Sequence, residues 1–203
     1  VDLDADGSFE LVFNLSRELW CLDAATGKSR WKIELPRSHD NYQVSVVGHF
    51  LDKKEQSVVC RVGAEVSCYD AKGQKKWNYR IQHRNLYGHE MTHYDADRDG
   101  LDEVYISLNG KFIVLNGDGT LRWSDDTVRN HTDFILCGDV DGDGELEIVY
   151  DRNGCDALKG PIACVDGSTG KPEKLWNYRR PGVDHLQRAT LGDFDPSRPG
   201  LEL

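Results

Sequence analysis

Short apolar stretches recur along this chain, and residues that favour turns bound each of them. The stretches are residues 11–13, 58–60, 104–106 and 148–150. Runs of this length, rich in β-branched and aromatic residues, predict short β-strands. Glycine-containing turns follow at residues 26–27, 72–73, 117–119 and 169–170. Because no convincing amphipathic helix interrupts this pattern, the sequence predicts an all-β protein.

Four similar segments each end in a tryptophan. Each segment begins with Cys or Val, any residue, and Asp or Asn, and a glycine turn separates these residues from the tryptophan. The four residues are Trp31, Trp77, Trp123 and Trp176, which lie 46, 46 and 53 residues apart. Repeats of this length with about four short strands each predict the blades of a β-propeller. One tryptophan at the same place in every repeat predicts packing between blades, in preference to sugar stacking.

The repeats predict one partial propeller domain that spans residues 1–203. Their approximate bounds are 1–47, 48–94, 95–138 and 139–192, and another repeat starts at 193. Both ends of the sequence fall inside a motif. We therefore expect about four blades of a larger ring of seven or eight, with a permuted four-bladed ring as the alternative.

An acidic loop runs into the apolar stretch of each repeat, and three copies follow the pattern Asp-x-Asp-x-Asp-Gly-x-x-Glu. The carboxylates of these copies are Asp2, Asp4, Asp6 and Glu10; Asp95, Asp97, Asp99 and Glu103; and Asp139, Asp141, Asp143 and Glu147. Alternate carboxylates around a tight glycine turn converge on one point, which is the hard oxygen coordination that Ca²⁺ prefers. A strand follows the Glu at once, so the loop is not an EF-hand. A solvated acidic turn is the alternative to three Ca²⁺ sites.

Two further copies of the loop depart from the pattern. Residues 48–54 have lost most carboxylates and gained lysines, so we expect no ion there. Residues 192–202 keep Asp193 and Asp195 but carry an insertion that places Glu202 one residue late. The sequence therefore leaves open whether this loop binds a metal ion.

The formal net charge is −10, from 25 basic and 35 acidic residues. This balance argues against nucleic acid as a partner, because phosphate binding needs clustered cations. The three intact loops supply more carboxylates than the whole net charge, so the acidity is explained by ligand chemistry. No stretch approaches the roughly 20 apolar residues of a membrane span. We expect a monomer.

The acidic loops resemble the FG-GAP and related calcium-loop repeats of integrin-type propellers. More narrowly, residues 185–187 leading into 192–202 resemble blades of the rhamnogalacturonan lyases of polysaccharide lyase family 11, and Gly88-His89 ahead of the Asp95 loop is similar. The calcium-loop resemblance covers the whole chain, and the lyase resemblance covers roughly residues 86–203. The resemblance implies a secreted enzyme that cleaves a uronic-acid polysaccharide of rhamnogalacturonan type by β-elimination.

Histidines recur a few residues ahead of the acidic loops, where the innermost strands of a propeller would begin. The candidates for catalysis are His89, His131 and His185, with Arg188 beside them. β-Elimination needs a general base for the C5 proton and a cation that neutralises the uronate carboxylate, and His and Arg suit these two roles. The alternative is that these histidines only hydrogen-bond neighbouring blades.

Two function classes therefore stay open: a carbohydrate lyase, and a calcium-stabilised propeller used for adhesion or for binding a glycan. A quinoprotein propeller ranks third, because segment 23–31 resembles its repeat but the acidic loops are not part of that repeat. Hairpin spacing also allows disulfides between Cys60 and Cys68 and between Cys155 and Cys164, although the sequence cannot fix the connectivity.

Overall fold

The computed structural model describes residues 1–37, 43–88, 90–128, 132–152, 162–176 and 188–203. Fifteen β-strands and no helix occur in these ranges, which confirms the all-β prediction for the part of the chain they cover. In chain order the strands are β1 Glu10–Leu15, β2 Glu18–Asp23, β3 Ser29–Glu34, β4 Gln43–Gly48, β5 Ser57–Val62, β6 Glu65–Tyr69, β7 Lys75–Arg80, β8 Met91–Tyr94, β9 Glu103–Leu108, β10 Lys111–Leu115, β11 Leu121–Asp125, β12 Ile135–Gly138, β13 Glu147–Asp151, β14 Ile162–Asp166 and β15 Pro172–Trp176.

The strands form four small antiparallel sheets, each a meander of consecutive strands. Sheet 1 contains β1–β3, sheet 2 contains β4–β7, sheet 3 contains β8–β11 and sheet 4 contains β12–β15. In sheets 2, 3 and 4 the acidic loop, or its degenerate copy, joins the first strand to the second. The sequence repeat was counted from the acidic loop, whereas each of these sheets starts with the strand that comes before that loop.

The four sheets share one register, which identifies equivalent residues. The strand that follows the acidic loop, which is β1 in sheet 1 and β5 in sheet 2, pairs with the next strand through Val12 and Cys21 and through Val59 and Cys68. The same two positions pair Tyr105 with Val114 in sheet 3 and Val149 with Cys164 in sheet 4. Residues 10, 57, 103 and 147 are therefore equivalent, and so are the residues that follow each of them.

The second strands of sheets 2, 3 and 4 are buried along their whole length, on both faces. Each of these strands is a run of apolar residues, such as Val104, Tyr105 and Ile106, because both faces pack against other sheets. A fully buried side chain of this size stabilises a fold by about 1.5–3 kcal/mol relative to its exposed state. The apolar runs at residues 58–60, 104–106 and 148–150 thus lie in the buried centres of sheets 2, 3 and 4.

Three of the four repeat tryptophans join their sheet to the next one. The indole nitrogen of Trp31 donates to the carbonyl oxygen of Ala71 at 2.8 Å, that of Trp77 to Gly117 at 2.8 Å, and that of Trp123 to Gly167 at 3.4 Å. The prediction that the tryptophans pack between repeats is confirmed for these three. Trp176 lies in β15, but its side chain is outside the described part of the structure.

In sheets 2, 3 and 4 the glycine of the turn makes room for the tryptophan ring of the preceding sheet. A Cβ atom at Gly73, Gly119 or Gly170 would lie 3.0, 2.5 or 2.4 Å from the ring of Trp31, Trp77 or Trp123. The backbone φ angles of these glycines are +75°, +83° and +69°, which L-residues rarely adopt. Close approach and backbone conformation therefore both require glycine in these turns.

The proposed disulfide between Cys60 and Cys68 is wrong. Both thiols are free, because Cys60 lies opposite Ser67 and Cys68 lies opposite Val59, so the two side chains point to opposite faces of sheet 2. Burial raises the pKa of Cys60 to about 11 and that of Cys68 to about 12, so both remain thiols. Cys155 lies outside the described residues, and its bridge to Cys164 stays a prediction.

Candidate metal-binding loops

The three intact acidic loops have the same backbone conformation. Their fourth residues, Ala5, Arg98 and Gly142, have φ angles of +56°, +56° and +78°. Their sixth residues, Gly7, Gly100 and Gly144, have φ angles of +87°, +90° and +95°. A left-handed conformation is uncommon for Ala and Arg, and it persists only where the surrounding structure enforces it.

The first aspartate of each loop accepts a hydrogen bond from the glycine at the sixth position. The N–H groups of Gly7, Gly100 and Gly144 donate to Asp2, Asp95 and Asp139 at 3.1, 2.9 and 3.1 Å. The third aspartate accepts the N–H two residues further on, at 2.7–2.8 Å in all three loops. These short-range bonds hold the carboxylates on the inside of the turn.

The glutamate at the ninth position closes the loop from the second strand. Glu10, Glu103 and Glu147 are buried, and each accepts the N–H of the loop's second residue. The distances are 2.8 Å from Leu3, 3.1 Å from Ala96 and 2.6 Å from Val140. This contact gives the glutamate a role in shaping the loop that the ligand interpretation of the sequence did not include.

In two of the loops an arginine side chain contacts the carboxylates, a role that the sequence did not lead us to predict. Arg122 Nη1 lies 3.0 Å from Glu103 Oε1, and its Nη2 lies 2.7 Å from Asp97 Oδ2. In the first loop Arg30 contacts Glu10 and Asp4 in the same way. Both arginines come directly before a repeat tryptophan, and Leu175 takes that place in sheet 4. A basic residue recurring ahead of Trp was the available signal.

Glu103 shows why a buried loop glutamate needs a cation nearby. Burial raises the pKa of Glu103 to about 7, Arg122 counteracts this rise, and Asp97 adds to it. An ionised carboxylate away from water is costly unless it is paired and hydrogen-bonded. Arg122 supplies that pairing from within the protein, so Glu103 shares its oxygens between a backbone N–H and a guanidinium.

Carboxylate oxygens of the three intact loops converge in three groups. The groups are Asp2, Asp4 and Asp6; Asp95, Asp97 and Asp99; and Asp139, Asp141 and Glu147, with one oxygen per residue and all within 4.8 Å of one another. Asp4 Oδ1 and Asp95 Oδ1 are shielded from solvent and receive no hydrogen bond. A cluster of acceptor-only oxygens that includes such an atom fits a hard cation such as Ca²⁺. Glu10, Glu103 and Asp143 lie outside these groups.

The two divergent loops differ from the intact ones. In residues 48–54, Asp52 only caps its own turn, and Lys53 Nζ donates to the carbonyl oxygen of Asp99 in the neighbouring intact loop. In residues 192–202, Glu202 accepts the N–H groups of Phe194 and Asp195 at 2.9 and 3.2 Å. The late Glu202 therefore still closes its loop.

The predicted catalytic residues are mostly outside the described residues. His89, His131 and His185 all fall there, so their proximity to one another stays a prediction. Arg188 is described, and it is exposed in an irregular segment just ahead of the bridge between Gly192 and Glu202.

The ends of the second strands opposite the acidic loops carry buried polar residues. Asp151 is fully buried at the end of β13, and its Oδ1 accepts the N–H groups of Asp133 and Phe134 at 2.7 and 3.2 Å. Burial raises the pKa of Asp151 to about 7, although these two hydrogen bonds lower it. Arg61, the equivalent residue of β5, donates to the carbonyl oxygens of Gly63 and Gly88 at 3.1 and 2.6 Å. Asp151 thus holds the segment ahead of β12, and Arg61 holds the turn ahead of β6 and the segment that leads towards β8.

Comparisons with known proteins give fold similarity only. No family model matches the chain, and no curated protein matches it. An exotype rhamnogalacturonan lyase, YesX, superposes with a TM-score of 0.72 at 21% identity, and the match covers 99% of this chain and 41% of the lyase chain. A family 11 rhamnogalacturonan lyase of Bacillus licheniformis gives 0.71 at 18% identity, covering 99% and 42%. The Vibrio cholerae biofilm matrix protein Bap1 gives 0.60 at 19% identity, covering 84% and 26%.

The chain thus spans about two fifths of the length of the two rhamnogalacturonan lyases it matches. At these identities the similarity shows a shared β-rich fold. In the part of the chain that is described, no helix is long and apolar enough to cross a membrane.

Proposed function

We propose that this chain is part of a secreted polysaccharide lyase that acts on a uronic-acid polysaccharide of rhamnogalacturonan type. The observation that carries the proposal is the superposition of 99% of the chain on two rhamnogalacturonan lyases. The resemblance of residues 185–187 and 192–202 to blades of the same family supports it independently, because it rests on sequence.

In this proposal the four sheets are consecutive blades of a β-propeller with seven or eight blades. The support is the identical register of the sheets and the tryptophan that joins each described sheet to the next. Short antiparallel meanders repeated every 46–53 residues are the pattern of such a ring.

The acidic loops are proposed as Ca²⁺ sites. The aspartates of the loops at residues 2–10 and 95–103 would hold the ion, and at residues 139–147 Asp139, Asp141 and Glu147 would do so. When bound, the ion would supply positive charge that the clustered carboxylates otherwise lack. Arg30 and Arg122 already neutralise part of the first two loops, whereas the residue ahead of Trp176 in the sequence is Leu175, which carries no charge.

The chemistry proposed for the lyase is β-elimination. One of His89, His131 and His185 removes the C5 proton of the uronate, and a C4=C5 double bond forms. The C4–O glycosidic bond breaks with its electron pair on the departing oxygen, which takes up a proton from the protonated histidine or from water. Arg188 pairs with the uronate carboxylate, which makes the C5 proton more acidic. The exposed position of Arg188 leaves its guanidinium accessible to a polymer.

The test uses the full polypeptide that contains residues 1–203 and purified rhamnogalacturonan. We expect new ultraviolet absorbance from the unsaturated uronic acid, and its loss in His131→Ala or His185→Ala. His83→Gln is the control, because His83 bonds the carbonyl oxygen of Asn109 at 2.8 Å and glutamine can replace that bond. Full activity of both alanine variants would remove the two histidines from the mechanism.

The alternative is a non-catalytic propeller that binds a glycan or mediates adhesion. The fold similarity to the matrix protein Bap1 favours it. Retention of the polypeptide on immobilised rhamnogalacturonan, without release of unsaturated ends from any acidic polysaccharide, would support this alternative and contradict the lyase.

A further inference from the structure

A polar cleft of about 590 Å³ lies between sheets 1 and 2, beside strands β3, β6 and β7. Its apolar lining is limited to Leu35 and Pro36, which follow β3. Six polar side chains line the rest, namely Arg17 and Glu34 from sheet 1 and Glu65, Ser67, Lys75 and Asn78 from sheet 2. We call this space the 1–2 cleft. Its volume falls in the range of about 300–1,000 Å³ that is usual for sites that bind small molecules.

Three of these polar residues stand where the other joints between sheets have small or apolar ones. By strand register, Arg17 corresponds to Ala64 and Gly110, Ser67 to Ile113 and Ala163, and Lys75 to Leu121 and Pro172. Ile113 is fully buried in the core between sheets 2 and 3. Among the three described joints, polar residues therefore fill all three positions only between sheets 1 and 2.

A chain of hydrogen bonds orients the polar groups that sheet 2 contributes to the cleft. Ser67 is 6% exposed, and its Oγ donates to Asn78 Oδ1 at 2.8 Å. Asn78 Nδ2 in turn donates to Glu65 Oε2 at 2.7 Å, and Arg80 pairs with the other oxygen of Glu65. The oxygens of a hydroxyl, an amide and a carboxylate each have more than one lone pair. These oriented oxygens can therefore accept further hydrogen bonds from the hydroxyl groups of a ligand.

The cations of the cleft can accept a negatively charged group. Arg17 Nη2 donates to Glu34 at 3.0 Å, but its Nε is shielded from solvent and has no acceptor among the described residues. A shielded N–H without an acceptor is unfavourable, and a ligand oxygen would relieve it. Lys75 Nζ lies 5.6 Å from the centre of the Tyr69 ring and pairs with no described carboxylate. Because Glu34 and Glu65 each have an arginine partner already, Lys75 leaves one positive charge uncompensated.

We propose that the 1–2 cleft binds a sugar residue that carries a carboxylate. The carboxylate pairs with Arg17 and Lys75, since a guanidinium and an ammonium both donate strongly to carboxylate oxygens. The hydroxyl groups of the sugar donate to the oxygens of Ser67, Asn78 and Glu65, which distinguishes a sugar acid from a simple anion. That the sugar residue belongs to a polysaccharide rests on the proposed function. The cleft shares no residue with the proposed catalytic set, so it would be a second contact with the polymer.

The first experiment titrates trigalacturonate into the full polypeptide that contains residues 1–203 and measures the heat of binding. Every sample also carries Arg188→Ala, which removes the carboxylate partner proposed for catalysis. Arg17→Ala and Ser67→Ile, which install residues found in the next joint, should each weaken binding by about tenfold or more. Lys76→Leu is the control, because Lys76 pairs with Asp70 at 2.7 Å and does not line the cleft. The absence of binding, or equal affinity in all these variants, would overturn the proposal.

Two further ligands test the chemical class. Galactotriose has the same ring but no carboxylate, and acetate has a carboxylate but no hydroxyl group. Both should bind at least about tenfold more weakly than trigalacturonate, because each lacks one of the two kinds of contact. Galactotriose that binds as tightly as trigalacturonate, or acetate that does so, would contradict a site for a sugar acid.

A third variant covers the case in which a buried substitution prevents folding. Lys75 is exposed, so Lys75→Leu should keep the melting temperature while it weakens the binding of trigalacturonate. Unchanged affinity in Lys75→Leu would count against the cleft. The outcome is separable from that of the lyase assay: binding without release of unsaturated ends contradicts the lyase alone. Release of unsaturated ends, with normal binding in the cleft variants, contradicts the cleft alone.

Discussion

The indole nitrogen of Trp77 in sheet 2 donates a 2.8 Å hydrogen bond to the carbonyl oxygen of Gly117 in sheet 3. The two residues are 40 positions apart in the chain, and the same contact links Trp31 with Ala71. The ring of Trp77 also covers Gly119, so a single side chain contributes both a polar and an apolar contact to the joint between sheets 2 and 3.

Trp77→Phe should destabilise the protein modestly, because it keeps a ring but leaves the Gly117 carbonyl without this donor. The expected loss is about 1 kcal/mol of the free energy of unfolding, measured by urea denaturation. Trp20→Phe is the control, since Trp20 Nε1 bonds only Glu18 of its own strand and should have a smaller effect. Equal losses in the two variants would contradict a special role for the joint.

Arg122→Leu should destabilise the protein strongly in the absence of divalent cations. The substitution leaves the buried Glu103 with a backbone N–H but without its guanidinium, and breaking such a pair costs about 3 kcal/mol. Arg17→Leu removes the exposed pair with Glu34 and should cost less than about 1 kcal/mol. A comparable loss for both arginines would show that Glu103 does not depend on Arg122.

Calcium should partly compensate for Arg122→Leu, because an ion in the Asp95 loop would bring positive charge close to Glu103. The measured quantity is the rise in melting temperature on adding Ca²⁺, which should be larger in the variant than in the parent protein. An equal rise in both proteins would argue that Arg122 and the ion do not act on the same carboxylates.

Removal of Ca²⁺ by a chelator should lower the melting temperature of the parent protein. A ligand present at 100 times its dissociation constant stabilises the folded state by about 2.7 kcal/mol. Asp95→Asn should reduce the effect of the chelator, whereas Asp52→Asn in the divergent loop should not. A melting temperature that stays the same with and without the chelator would contradict the calcium proposal.

Asp151 should make the protein less stable as the pH rises from about 4 to about 7. Burial raises the pKa of Asp151 to about 7, from an ordinary value of 3.8, so the folded state retains a proton that the unfolded state has already released. Its contribution to stability is therefore complete below pH 4 and lost as the pH passes 7, by an amount on the order of a few kcal/mol.

The check is the pH dependence of unfolding in Asp151→Asn. Asparagine mimics the protonated carboxyl and keeps the oxygen that accepts the Asp133 and Phe134 N–H groups, so the decline between pH 4 and pH 7 should flatten. Asp126→Asn, at an exposed aspartate paired with Lys111, should keep the decline. An unchanged profile in Asp151→Asn would assign the decline to other groups.

The sequence predicted those parts of the structure that depend on local pattern. Apolar runs marked the second strands, and the spacing of Trp31, Trp77 and Trp123 marked the joints, because both are written into every repeat. The role of Arg122 escaped prediction, since its contact with Glu103 depends on how β11 lies beside the loop. The Cys60–Cys68 pairing failed because a shift of one residue in register moves a side chain to the other face of a sheet.

Because each joint consists of a tryptophan on one repeat and a glycine turn on the next, any two repeats of this type are chemically compatible neighbours. Duplicating or deleting a whole repeat would leave every joint with a matching partner. The spacing of 53 residues between Trp123 and Trp176, against 46 for the others, shows that a repeat also tolerates added length. The tryptophan–glycine joint thus provides a simple route by which a gene encoding this chain could change its number of repeats.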